Sequence, residues 1–253
     1  MRLPPIGRER RELPSRSNSI KAVILAGGLG TRLRPYTLFA PKPMLPVGHM
    51  PILERIMAWL KANDIGEVVI ATGYLGHMIE DYFKDGRDFG LSVEYASSRK
   101  PLGIAGQLRS AEGKLGSRFV CLYGDAILDF DLRKLIAFHE KKSALLTMAL
   151  MSHSIQEKYG VIELEGDGRI ARWKEKPVVE TDINVGCYVM EKRYLRYIPG
   201  ASVYGMKEAF EDAMAKHEPL YGLKVKGTFR DIGDKRAYHE ANEYYSKEDG
   251  KVP

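Results

Sequence analysis

Residues 23–46 read VILAGGLGTRLRPYTLFAPKPMLP, and the order of residue types there restricts the fold more than any other part of the chain. The apolar run from Val23 stops at Gly27, Gly28 and Gly30. This reads as a buried strand followed by a turn whose backbone amides are bare, the surface a phosphate group requires. Arg32 and Lys42 bring fixed positive charge to the same loop. Prolines at 35, 41, 43 and 46 keep a helix from starting directly behind the glycines. A Walker-type loop needs Lys-Ser/Thr after its last glycine, but Thr31-Arg32 follows Gly30; a dinucleotide fingerprint needs a third glycine where Leu33 stands. The stretch is therefore read as a long loop wrapped around a polyphosphate.

Behind the loop, apolar strands alternate with helices. Pro51 to Lys61 is predicted to be an amphipathic helix with Ile52, Ile56 and Leu60 on one face. Strand 68–71, helix 76–84, strand 91–96, helix 104–115 and strand 119–123 follow; Asp131 caps a helix through Lys141, and 144–151 is the next strand. Near-continuous apolar strands in this alternation predict an α/β fold: a Rossmann-like, mainly parallel sheet flanked by helices, with ligands beyond the carboxyl ends of its strands. Tyr159 to Leu164, Gly166-Asp-Gly168 and Arg169 to Trp173 then read as a β-hairpin, so a small antiparallel lobe is expected. Strand 183–190, helix 207–216, strands 220–225 and 228–231 and a closing helix 235–246 complete the pattern.

The chain has 253 residues and is 44% hydrophobic, enough for one sizeable core. Its net charge of +6 is unevenly placed: residues 1–19 hold five arginines against two glutamates, +3 of the total. That leader is read as a flexible basic tail, 20–247 as the folded domain and 248–253 as a second tail. Few charges and no interleaved aromatics argue against nucleic acid as a partner. No apolar stretch reaches membrane-spanning length, and the expected setting is cytoplasmic, without a membrane partner. Cys121 and Cys187, each within an apolar run, read as reduced core thiols, and the six histidines lack zinc-ligand spacing.

Asp125, in Tyr123-Gly-Asp125, should stand at a strand's carboxyl end facing the glycine loop, and Asp231, in Phe229-Arg-Asp-Ile-Gly233, has a similar setting. Two carboxylates beside a triphosphate suit Mg²⁺, which takes one or two protein oxygens and fills its octahedron with phosphate and water.

GGLGTRLRPYT followed by PKPMLP resembles the signature of the sugar nucleotidyltransferases, and the resemblance extends from Ile20 to about Tyr245. It implies a nucleotidyltransferase that joins a sugar 1-phosphate to a nucleoside triphosphate and releases pyrophosphate. Nucleotide would be bound by Leu25, Ala26, Gly27, Gly28, Gly30, Thr31, Arg32, Gly103 and Asp125, with Gly103 against the base. Sugar phosphate would be bound by Tyr159, Gly160, Glu175, Lys176 and Asn184; Arg32, Lys42, Asp125, Lys176 and Asp231 would carry the chemistry, with Mg²⁺ on Asp125 and Asp231. The Pro101-Leu-Gly-Ile-Ala-Gly106 segment departs from the family pattern: Arg99 and Lys100 stand where Glu or Gln is usual, and Ile104 replaces a common Thr. Mannose 1-phosphate with GTP and glucose 1-phosphate with UTP or dTTP stay open, as does the choice between monomer and homo-oligomer. Two alternatives stand beside this reading: a non-catalytic nucleotide-sugar sensor or subunit on the same fold, and a cytidylyltransferase acting on a phosphorylated alcohol. Many relatives add a C-terminal left-handed β-helix, for which this length leaves no room, so a catalytic core alone is expected.

Overall fold

A computed structural model describes residues 20–98, 100–200 and 203–250. The basic leader 1–19, Arg99 and the last three positions lie outside the described residues.

Strand β1 (Lys21–Leu25) opens the fold, and the proline-rich loop after it contains three single-turn 3₁₀ segments rather than a helix, as the prolines require. Two short strands, β2 (Pro46–Val47) and β3 (Met50–Pro51), lead into α1 (Ile52–Ala62), whose Ile52, Ile56 and Leu60 are all buried, on the face the spacing predicts. Then come β4 (Glu67–Thr72), α2 (Gly76–Phe83), β5 (Ser92–Ser97), α3 (Gly103–Ser110) and β6 (Arg118–Tyr123). Helix α3 is shorter than expected: it stops at Ser110 and a 3₁₀ turn containing Gly113 follows, since glycine is a poor helix former.

Next in order are β7 (Ala126–Phe130), α4 (Leu132–Lys142), β8 (Leu146–Gln156), β9 (Val161–Leu164), β10 (Ile170–Lys174), β11 (Val178–Glu191), α5 (Met206–Ala215), β12 (Leu220–Lys224), β13 (Gly227–Asp231) and α6 (Lys235–Asp249). Asp131 caps α4 as expected, its carboxylate accepting from the Arg133 amide at 3.2 Å. Strand β7 has no counterpart in the sequence reading, β11 starts five residues earlier than the expected 183, and α6 runs to Asp249 rather than 246.

Seven strands form the central sheet in the order β12-β8-β11-β6-β1-β4-β5. All neighbours are parallel except β11, which is antiparallel to both β6 and β8. Successive residues of the central strands alternate between two cores, as the two-residue pleat demands. Ala22, Ile24, Val68, Ile70, Val120 and Leu122 face one layer with α1 and α4, while Val23, Leu25, Val69, Ala71, Phe119 and Cys121 face the other with α3 and α5. Each fully buried Leu, Ile or Val contributes about 1.5–3 kcal/mol, and burial on both faces explains why these strands read as unbroken apolar runs. Cys121 and Cys187 are free and fully buried on adjacent strands, where burial pushes both thiols up from their ordinary pKa.

The expected antiparallel lobe is present. The outer halves of β8 and β11 pair from Ser152–Asp182 to Gln156–Val178, and the β9–β10 hairpin adds Ile162–Trp173 and Leu164–Ile170 pairs. No described helix is long and apolar enough to cross a membrane.

Candidate active site

Strand β1 lies between β4 and β6: the chain leaves it toward β4 and β5 and then crosses back to β6 on its other side, so a crevice opens beyond the carboxyl ends of β1 and β6. The strand ends are tied: Ala26 N–H donates to Ala71 O at 2.9 Å and Gly124 N–H to Leu25 O at 3.0 Å. Gly27 comes next, pressed against the next loop so closely that a Cβ on Gly73 would lie 2.8 Å from Gly27 O. Its amide donates to Gln107 Oε1 at 2.8 Å. Gly30 turns the chain with φ +60°, a conformation that favours glycine, and its carbonyl accepts from Thr37 Oγ1 at 2.9 Å. A cleft of about 240 Å³ opens here, lined by Leu25, Ala26, Gly28, Gly30, Thr31 and Arg32 from the loop, and by Lys42, Asp125 and Gly233 across from them.

The two carboxylates are brought together by a pairing the sequence did not reveal. Beyond Asp125 the chain enters β7, which pairs antiparallel with β13 so that Ala126 stands opposite Asp231 and Ile232 N–H donates to Asp125 O at 3.2 Å. Gly233 lies between functional side chains: a Cβ there would be 2.8 Å from Asp231 Oδ2 and 3.4 Å from Arg32 Nη1. Asp231 retains an exposed edge, yet its pKa is raised, first by the desolvation of its surroundings and then by the Asp125 charge, with Lys42 and Arg32 pulling it down. Lys42, held in a 3₁₀ turn between Pro41 and Pro43, is only 7% exposed and donates to Asp125 Oδ2 at 2.7 Å. An ammonium so far out of water requires such a partner.

Asp125 and Asp231 are the two carboxylates that the β7–β13 pairing brings together, and no cluster of three or more His, Cys, Asp or Glu suited to a metal occurs among the described residues. A pair of carboxylates, one of them held above its ordinary pKa by desolvation first and by its neighbour's charge second, fits an ion that completes its shell with phosphate and water.

The expected sugar-side residues have different surroundings. Tyr159 is 77% exposed, Glu175 Oε2 accepts from Trp173 Nε1 at 3.3 Å, and Gly160 abuts Trp173 and Glu175, where a Cβ would come within 3.1 Å of the indole. Lys176 adopts φ +41°, and its carbonyl accepts from Gln156 Nε2 at 3.0 Å. None of these four lines the cleft, because all belong to the lobe. Asn184 connects the two regions. Its Nδ2 donates to Tyr188 Oη at 2.7 Å, and Tyr188 Oη donates to Tyr123 Oη at 3.0 Å. Tyr123 lines both the cleft and a second hollow of about 370 Å³ between Asn184 and α5.

Gly103 has an internal reason to be glycine. It begins α3 with φ +67°, and a Cβ there would lie 2.5 Å from Tyr204 O; its neighbour Ile104, 43% exposed, lines the cleft. Gln107 was not singled out by sequence reasoning. The available signal was a lone carboxamide among the small and apolar residues of Gly103-Ile-Ala-Gly-Gln-Leu108.

Residues 21–248 match the family described as Nucleotidyl transferase. The chain is similar to a UTP–glucose-1-phosphate uridylyltransferase of Synechocystis, 32% identical over 241 residues covering 88% of this chain and 62% of the relative. It is also similar to a mannose-1-phosphate guanylyltransferase of Mycobacterium tuberculosis, 35% identical over 222 residues covering 86% of this chain and 62% of the relative. The chain thus spans less than two thirds of the length of either. Among solved structures it resembles a Bacillus anthracis protein, assigned as a glucose-1-phosphate thymidylyltransferase and crystallised with sucrose, at TM-score 0.74 and 27% identity over 90% of this chain and 96% of that one.

Proposed function

The chain belongs to the family of sugar nucleotidyl transferases, and we propose that it converts a sugar 1-phosphate and a nucleoside triphosphate into a nucleotide-sugar and pyrophosphate. Relatives of near-equal identity act, by their names, on different bases and sugars, so mannose 1-phosphate with GTP and glucose 1-phosphate with UTP or dTTP all fall within the proposal. A cytoplasmic setting is part of it, because both substrates are charged phosphorylated metabolites.

The observation that supports this reading best is the Lys42–Asp125 contact of 2.7 Å, set beside Asp231 and facing a glycine loop with Arg32. In the reaction an oxygen of the sugar phosphate forms a bond to the α-phosphorus while the bond from that phosphorus to the bridging oxygen breaks, and pyrophosphate leaves in line with the attack. The amides around Gly28 and Gly30, with Arg32, hold the departing β- and γ-phosphates. Lys42 neutralises part of the repulsion between the two anions. Asp125 and Asp231 would hold Mg²⁺, which when bound offsets negative charge at the α-phosphate. Lys176 and Glu175 bring sugar-phosphate and sugar-hydroxyl contacts from the lobe, with Tyr159, Gly160 and Asn184 completing that side. No covalent enzyme intermediate is needed, since positioning and charge neutralisation supply the rate.

The test is pyrophosphate release with Mg²⁺ across five nucleoside triphosphates and a panel of sugar 1-phosphates. A signal that needs both substrates is expected. Binding of a nucleotide-sugar by folded protein without pyrophosphate release would instead establish a non-catalytic sensor or subunit.

A further inference from the structure

The geometry points to Gln107 as the residue that selects the base, favouring nucleotides with a keto group over those with an amino group at the corresponding ring position. This inference rests on the transferase reading and names the substrate class of the same cleft.

A backbone N–H can only donate, so the 2.8 Å contact from Gly27 N fixes the Gln107 carboxamide with its oxygen toward Gly27 and its NH₂ turned away. Among the described residues that NH₂ has no protein partner, and it is not one of the buried polar atoms left unsatisfied, so it remains open to a ligand. Gln107 lines the cleft together with Ile104, Leu25 and Ala26, an apolar surface on the α3 side. Ile104 is 43% exposed there, although α3 otherwise packs its apolar residues inward. The charged groups, Lys42, Asp125 and Arg32, form the other part of the lining. A nucleotide with its phosphates on Lys42 and Arg32 sets its base against Ile104, within reach of the Gln107 NH₂.

A donor at that place discriminates by simple complementarity. Guanine O6 and the O4 of uracil or thymine accept a hydrogen bond, whereas adenine N6 and cytosine N4 present their own N–H and leave two donors facing each other. An unmatched polar contact of this kind weakens binding by about tenfold to a hundredfold. The fixed orientation is what gives the residue its selectivity, because a freely rotating carboxamide would offer its oxygen to an amino base equally well.

Equilibrium binding of GTP, UTP, dTTP, ATP and CTP to the whole chain with Mg²⁺, measured by calorimetry without sugar phosphate, tests this. The expected result is that GTP or the UTP/dTTP pair binds at least about tenfold more tightly than ATP and CTP. Gln107→Glu keeps an acceptor for Gly27 N–H but replaces the donors with a second acceptor. Its added charge weakens every nucleotide, so the ratio is the readout, and the ratio should fall to near one or invert toward ATP or CTP. Gln107→Met, which removes donor and acceptor together, should bring the ratio near one without inversion. Equal binding of all five by the native chain, or an unchanged ratio in both variants, overturns the assignment. If pyrophosphate is released with a flat ratio, only the role of Gln107 falls; if no nucleotide binds, the transferase reading falls with it.

Discussion

Lys42 and Lys176 are both assigned to phosphate, yet their surroundings are opposite. Lys42 is 7% exposed, fixed between two prolines and paired with Asp125, in a site assembled by the meeting of β1, β6, β7 and β13. Lys176 stands exposed on the lobe, where its backbone carbonyl accepts from Gln156. The same contrast runs along single strands: β11 is buried from Val185 to Met190 and exposed from Val178 to Asp182. The proposed phosphate end is therefore preorganised by tertiary structure, while the proposed sugar end is an exposed surface. Preorganised charges are where catalysis gains most, and exposed contacts mainly set affinity.

The largest effects should come from the buried end. Asp125→Asn and Lys42→Ala are each expected to lower turnover by on the order of a hundredfold or more. Lys42→Ala also removes a cation that lowers the Asp231 pKa, so that carboxyl should titrate higher still in the variant. Full activity in both folded variants, measured by pyrophosphate release, would break the assignment of the site.

Lobe substitutions should separate affinity from turnover. Glu175→Ala and Lys176→Ala are expected to raise KM for the sugar phosphate by roughly tenfold, about 1.4 kcal/mol each, with nucleotide affinity unchanged. Stability should change by no more than about 0.5 kcal/mol, as for exposed positions generally. A drop in nucleotide affinity or a clear loss of Tm would show that the two regions are more tightly joined than the contrast implies.

What was legible in the sequence follows the same division. The alternation of apolar strands and helices, the interruption at Gly27 to Gly30 and the placing of Asp125 at the end of β6 are local signals, and each has its counterpart in the fold. Strand β7 was not legible: Ala126-Ile-Leu-Asp-Phe130 sits between two aspartates with turn character, and its partner β13 begins at Gly227, far along the chain. The pairing of Asp125 with Asp231 was thus expected from residue type and family resemblance, while the backbone that causes it was not. The outer half of β11 escaped for a related reason, since Val178-Val-Glu-Thr-Asp182 is exposed and carries no core pattern. Gln107 gains meaning only from the direction of the Gly27 amide, which no sequence pattern states.

Asn184 tests the joint between the two regions. Its carboxamide donates to Tyr188 Oη and accepts from Gly186 N–H at 2.9 Å, where the β8–β11 register shifts and Gly186 packs under the Tyr123 ring. Asn184→Ala should cost about 1–2 kcal/mol in a denaturant titration, because the buried Tyr188 hydroxyl loses a partner. It should also raise the sugar-phosphate KM. A change in KM without any loss of stability would make Asn184 a lobe contact alone.

The smallest effect concerns the buried halves of β8 and β11. His139 on α4 is fully buried between Thr147 of β8 and Glu191 of β11. The carboxylate can only accept, so the neutral ring donates from Nε2 to Glu191 Oε1 at 3.3 Å and accepts at Nδ1 from Thr147 Oγ1 at 2.9 Å. Burial holds the imidazole below its ordinary pKa of 6.5; the Arg118 charge reinforces this, and Glu191 and Glu140 oppose it. The unfolded chain therefore takes up a proton that the folded chain resists, so this contribution to stability is complete above pH 6.5 and is lost progressively as the pH falls below it. His139→Gln should cost about 1 kcal/mol at neutral pH through its weaker bonding, and its melting temperature should fall less than that of the native chain between pH 7.5 and 5.5. An equal fall in both would place the acid sensitivity outside the buried halves of the two strands.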